Sequence, residues 1–152
     1  MEKRSLRVES PKELKAMKIE SKIGKSSNSD ESIYRFISNF HNFRDLLPED
    51  RVSAWEASED KCSFQVDPLG RTGLMIVNKE PHSLVKMSSD PDYSSYQFTI
   101  WIQLKKVTAE DTRIKITIEP HVNMMLMPMV KGPLKKLADG LIEKMESFDF
   151  PA

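Results

Sequence analysis

A strand-patterned middle followed by one long amphipathic helix leaves this chain few ways to fold. Tyr96, Phe98, Ile100, Ile102 and Leu104 alternate with Gln97, Thr99, Trp101, Gln103 and Lys105, and Ile114, Ile116 and Ile118 alternate with Lys115, Thr117 and Glu119. Alternation with a period of two puts each aliphatic set on one face of a strand, so two long strands present an apolar face that something must cover. The sizeable cover is the segment from about Met124 to Phe148. There Val130, Leu134, Leu137, Leu141, Met145 and Phe148 recur at three- and four-residue intervals on an otherwise charged cylinder. A curved sheet gripping that helix satisfies both elements.

The rest of the chain fits the same plan. Met17, Ile19, Ser21 and Ile23 alternate with Lys18, Glu20 and Lys22, which reads as a half-buried strand ended by Gly24 to Ser29. Asn28-Ser29-Asp30 offers helix N-caps ahead of the apolar stripe Ile33, Tyr34, Phe36, Ile37 and Phe40. His41 to Leu47 predicts a short second helix, stopped by Pro48. His41 and Asp45, four residues apart, read as a capping or pairing couple rather than a catalytic one. Strands follow at Val52 to Ala57, at Cys62, Phe64 and Val66, at Leu74 and Ile76 after Gly73, and at Leu84 to Ser89. Their turns are marked by Ser58 to Lys61, Pro68 with Gly70, Pro81-His82 and Asp90-Pro91-Asp92, with Lys106 to Thr112 reversing the last pair.

At the final helix, Pro128 and Pro133 predict a broken or kinked first turn, with the regular helix from about Pro133. Gly140 weakens the helix by about 1 kcal/mol relative to Ala, which close approach to a strand would explain. Met124, Met125, Leu126, Met127 and Met129 crowd around Pro128; such adaptable side chains suit either a pocket rim or the filling of gaps under the helix.

Composition removes several classes of function. The chain has 152 residues, enough for one domain with its own core, expected over residues 13–150 behind a charged, aperiodic leader at residues 1–12. Lys and Arg total 23, as do Asp and Glu, and the charges are interspersed, so nucleic acid is not an expected partner. The lone Cys62 forms no internal disulfide and reads as a small buried hydrophobe suited to a reducing cytoplasm. No run approaches the roughly 18 apolar residues of a membrane span, and no secretory h-region is evident. Phosphate loops, HExxH, paired cysteine ligands and nucleophile elbows are all missing. His41, His82 and His121 lie far apart, so neither a metal site nor a cofactor is expected.

These features together resemble the START-like superfamily, also called SRPBCC or Bet v 1-like, across about Met17 to Phe148. Four stretches are similar to small stand-alone bacterial members: Glu20 to Lys25; Asn39 to Phe43 leading to Leu47-Pro48; Gly73-Leu74 with Lys79-Glu80-Pro81; and Trp101 to Leu104. The resemblance implies an α+β helix-grip fold, a curved antiparallel sheet of about seven strands wrapped around a long C-terminal helix, with two short helices after the first strand. Related proteins bind lipids, sterols, hormones or polyketides, act as cyclases, or serve as co-chaperones, so the fold does not by itself assign a function.

The resemblance further implies a cavity between sheet and helix. By strand parity its lining is Phe64, Val66, Leu74, Ile76, Phe98, Ile100, Ile116 and Ile118, with Met127, Val130, Leu134 and Leu137 from the helix, all equally readable as ordinary core; Tyr96 reads either as orienting a polar group of a ligand or, more simply, as a strand-end tyrosine with its hydroxyl in water. The leading expectation is a noncatalytic, cytoplasmic carrier of a small hydrophobic or amphipathic ligand of lipid or aromatic polyketide type, in a cavity of roughly several hundred cubic ångströms. One alternative is an interaction module with a filled core, in which Trp55 and Trp101 form an outward apolar patch or a homodimer contact. The other is a small cyclase or dehydratase, which needs inward ionisable groups. Its candidates Glu56, Glu119 and His121 fall on solvent faces by parity.

Overall fold

The computed structural model describes residues 18–67, 70–94 and 96–152. Its strands are β1 (Ile19–Glu20), β2 (Gly24–Ser26), β3 (Val52–Ala57), β4 (Lys61–Val66), β5 (Gly70–Glu80), β6 (Leu84–Ser89), β7 (Phe98–Thr108) and β8 (Asp111–Pro120). From β3 to β8 each strand pairs antiparallel with the next, and β1 and β2 both pair with β8, so the sheet is open, with free edges. Helix α1 (Asp30–Ile37) and a 3₁₀ helix (Phe40–Leu46) connect β2 to β3, and α2 (Met127–Ser147) follows β8. This is the helix-grip α+β architecture expected from the sequence. The leader, the domain start at residue 13 and Met17 lie outside the described residues.

Local chemistry sets the helix boundaries. Ser29 Oγ accepts the Ser32 amide at 3.1 Å, capping α1 in the extended conformation typical of an N-cap. The helix stops at Ile37, earlier than the stripe to Phe40 suggests, because Asn39 caps a new 3₁₀ segment by accepting the His41 amide at 2.9 Å. Phe40 and Phe43 are thereby buried on that segment. Unlike the broken start expected, α2 is helical from Met127 and continues through Pro133. Its buried side chains are Met127, Val130, Leu134, Leu137, Ala138, Ile142 and Met145, with Leu141 half-buried beside them.

Of the irregularities in the sheet, those in the β1–β2 segment and in β3 move side chains to the face opposite the one expected. Between the pairs Glu20↔Thr117 and Gly24↔Ile114, Ser21, Lys22 and Ile23 oppose only Lys115 and Ile116. The single strand expected from Met17 to Ile23 is therefore two short ones. Ser21 stays buried, its Oγ accepting the Ile116 amide at 2.8 Å, while Ile23 turns out to 66% exposure. In β3, the pairs Ser53↔Gln65 and Glu56↔Ser63 leave Ala54 and Trp55 opposite Phe64 alone, with Ala54 at φ 55°. Elsewhere the strands are longer than the pattern suggests. Strand β5 begins at Gly70 rather than after Gly73, and β7 and β8 pair as far as Thr108↔Asp111, so the turn is Ala109-Glu110 instead of Lys106 to Thr112.

Helix α2 is fastened unevenly. The Lys22 amide donates to Asp139 at 2.9 Å, the Lys22 ammonium to Glu143 at 2.9 Å, the Lys25 amide to Glu146 at 3.0 Å, and Lys135 Nζ to the Glu20 carbonyl at 2.7 Å. The Glu143 carboxylate holds the Lys22 ammonium above its usual range. A Cβ on Gly24 would lie 2.6 Å from Ile142 Cγ2, whereas one on Gly140 would meet nothing within 4 Å. The close approach expected at Gly140 is made on the strand side instead, at Gly24. Among the described residues, every polar link between α2 and the strands involves Lys135 or a later residue.

The two ends of the grip differ. Near the β7–β8 turn, Phe36, Phe148 and Phe150 pack with ring centroids 4.9 to 5.3 Å apart, and Asn28 Nδ2 donates to the Phe148 carbonyl at 3.1 Å. The other end carries the β4–β5 turn, the β6–β7 loop and the connection from β8 to α2.

Candidate functional site

Between the sheet and α2 lies a cavity of about 60 Å³. Of the residues expected to line it, Phe64, Val66, Leu74, Tyr96, Phe98, Ile100, Ile116, Ile118, Val130, Leu134 and Leu137 do so. Ile76 and Met127 do not. Ile76 packs against the core beside a bulge in β5, and Met127 is buried at the first turn of α2 without bordering the cavity. Parity selects a face but not how far along that face the empty space extends.

The lining also includes residues that parity did not select: Phe43, Leu47, Trp55, Thr72, Met87, Ile102, Pro120, Val122 and Leu141. Ile102 and Leu141 belong to the alternations already recognised in β7 and α2 and were legible there. Trp55 was not, because the bulge at Ala54 turns its indole inward, 5.6 Å from the Phe64 ring and 6.4 Å from Phe40 between centroids. Trp55 and Trp101 therefore form no shared outward patch. Trp101 remains on the outer face, covered by the ammonium groups of Lys18 at 5.2 Å and Lys86 at 5.6 Å from its ring centre.

With Trp55, Phe43, Leu47 and Met87 turned inward, the cavity is far smaller than the several hundred cubic ångströms expected. Its volume corresponds to about four to six waters, at roughly 10–15 Å³ each. Among the described residues no Asp, Glu, Lys, Arg, His or Cys lines it, and the polar side chains there are Thr72 and Tyr96. The Thr72 hydroxyl, 5% exposed, makes a long hydrogen bond of 3.4 Å to the Gly70 carbonyl.

The remaining candidate groups lie elsewhere. Glu56 and His121 are exposed and Glu119 is half-buried; His121 Nε2 is 3.0 Å from Thr99 Oγ1. His41 and Asp45 are exposed, and His82, at φ 69°, meets the Tyr34 ring edge-on at 5.7 Å. Among the described residues no three His, Cys, Asp or Glu side chains converge as a metal site, and no helix is long and apolar enough to cross a membrane. Cys62 is buried on β4, and burial pushes its thiol from the ordinary 9.0 up to about 12, which leaves it unreactive at neutral pH. Met124, Met125 and Met129 are exposed rather than gathered on the cavity wall. A second, open groove between Pro48 to Arg51 and the outer face of α2 is lined mainly by charged side chains.

No protein-family model and no curated protein matches the chain. Solved structures do. A START superfamily protein from Mycobacterium smegmatis superposes with a TM-score of 0.68 at 11% identity, covering 85% of this chain and 94% of that one. A protein from Arthrobacter aurescens gives 0.68 at 10% identity, covering 88% and 86%. The protein XoxI from Bacillus cereus gives 0.65 at 10% identity, covering 85% and 92%. At such identities the likeness concerns the path of the backbone: the chain has the START-like helix-grip fold.

Proposed function

We propose that this protein is a noncatalytic binder or carrier of a small, predominantly apolar molecule, held between the sheet and α2. The observation that carries the reading is the cavity itself, an internal space lined almost entirely by aliphatic and aromatic side chains. Apolar side chains around such a cavity have unmet packing contacts, which an apolar occupant supplies. A ligand larger than the present volume enters by displacing the wall that is held by apolar contact alone, the start of α2. A cyclase or dehydratase is less well supported, because acid–base chemistry needs a titratable group within reach of the reacting atom, and among the described residues no Asp, Glu, His, Lys or Cys lines the cavity. The lone buried thiol suits a reducing compartment such as the cytoplasm.

Native mass spectrometry of the protein isolated from its own host, followed by denaturing extraction, tests this reading. A reproducible adduct that Leu134→Trp abolishes, with the variant still folded, is the expected result. If the variant retains the adduct, the adduct sits outside the cavity and the proposal fails.

A further inference from the structure

Thr72 lines the cavity from β5, paired with Phe64 of β4, and among the described residues it is the one buried side chain with a hydroxyl in an otherwise apolar wall. Its internal partner, the Gly70 carbonyl, lies at 3.4 Å, near the limit of a useful hydrogen bond, so most of its bonding capacity is unspent. Such a group is costly to bury unless something completes it. Tyr96 also lines the cavity, and its hydroxyl makes no hydrogen bond among the described residues. Both residues lie at the same end of the sheet, each two residues beyond the level at which Leu74, Ser89 and Phe98 line up across β5, β6 and β7. Ser94, two residues before Tyr96, hydrogen-bonds through Oγ to both the amide and the carbonyl of Gly73, the neighbour of Thr72, at 3.0 Å each. That end lies away from the phenylalanine cluster.

We infer that Thr72 and Tyr96 form a polar subsite at one end of the cavity, and that the ligand is a neutral molecule with an apolar body and one oxygen function, an alcohol or a carbonyl. This inference rests on the binding function proposed above and narrows its ligand class. Two hydroxyls can donate to and accept from one uncharged oxygen. A carboxylate or phosphate would lose its hydration there with no cation to replace it, since among the described residues no Lys, Arg or His lines the cavity. Fatty acids and phospholipid headgroups are disfavoured at this end for the same reason.

The test uses three probes that share a ring and one attached carbon: toluene, benzyl alcohol and benzoate. Affinities are measured by NMR titration of the wild-type protein, Thr72→Val and Tyr96→Phe, two variants that keep shape while removing a hydroxyl. The wild type is expected to bind toluene and benzyl alcohol and to bind benzoate at least about tenfold more weakly than the alcohol. Each variant should weaken benzyl alcohol about five- to tenfold while toluene holds or tightens. Equal effects on alcohol and hydrocarbon, or benzoate binding as tightly as the alcohol, would overturn the subsite and leave the container intact. Failure of all three probes to shift any resonance from the cavity wall would remove both.

Discussion

Two glycines illustrate how position, rather than residue type, decides the effect of a side chain. At Gly24 an added methyl would press on Ile142 of α2 at 2.6 Å, and on Glu146 Cγ at 3.2 Å, so strand and helix must separate to accept it. Gly24→Ala should cost about 1–3 kcal/mol through overpacking. Gly140, in the interior of α2, has open space around it, and Gly140→Ala should stabilise by about 0.5–1 kcal/mol, because the helix loses the entropic penalty of glycine. Urea denaturation of the two variants checks both signs. Cys62 gives a pH test at the same scale. Its folded value of about 12 lies above its ordinary 9.0, so the stability that a buried neutral thiol provides is fully present below pH 9 and drains away between pH 9 and 12. Replacing it by alanine should flatten that part of the alkaline stability curve, and a slope unchanged in Cys62→Ala would show that other groups produce it.

At the scale of elements, α2 is two halves with different attachments. Lys135, Asp139, Glu143 and Glu146 tie the second half to β1, β2 and the residues between them, whereas Met127, Val130 and Leu134 hold the first half by apolar contact. Leu126 at the N-cap supplies no side-chain cap, and Pro133 has no amide to donate to the carbonyl one turn back. Amide hydrogen exchange should therefore run at least about tenfold faster over Met129 to Leu134 than over Leu141 to Met145, following local opening free energy. The same scale explains what the sequence makes legible. The alternations that continue into β7 and β8 and the stripe in α2 locate half of the cavity wall, because uninterrupted elements preserve their period. Trp55 and Ile23 sit just after inserted residues that no alternation announces, and each is displaced to the face opposite the one its parity predicts. Cavity volume was illegible for another reason: it is a small difference between the space enclosed and the side chains that fill it, and the inward turn of Trp55 alone alters that difference.

For the molecule as a whole, the consequential feature is the inequality of its ends. Phe36, Phe148 and Phe150 stack where α1 and the end of α2 meet, while the loops after β4, β6 and β8 gather at the far end, beside Tyr96, Pro120 and Val122 of the cavity wall. For the binding function proposed above, entry at the loop-bearing end alone would make the space a cul-de-sac, with one doorway serving both arrival and departure. Two guests cannot pass each other in it, so a newcomer waits for the occupant to leave. In a chase experiment, the release rate of a preloaded fluorescent guest should stay constant as unlabelled competitor rises from tenfold to a thousandfold excess. A rate that climbs with competitor would mean a second doorway. Exchange limited by vacancy makes residence time a property of host and guest alone, unaffected by how crowded the surroundings are with rivals.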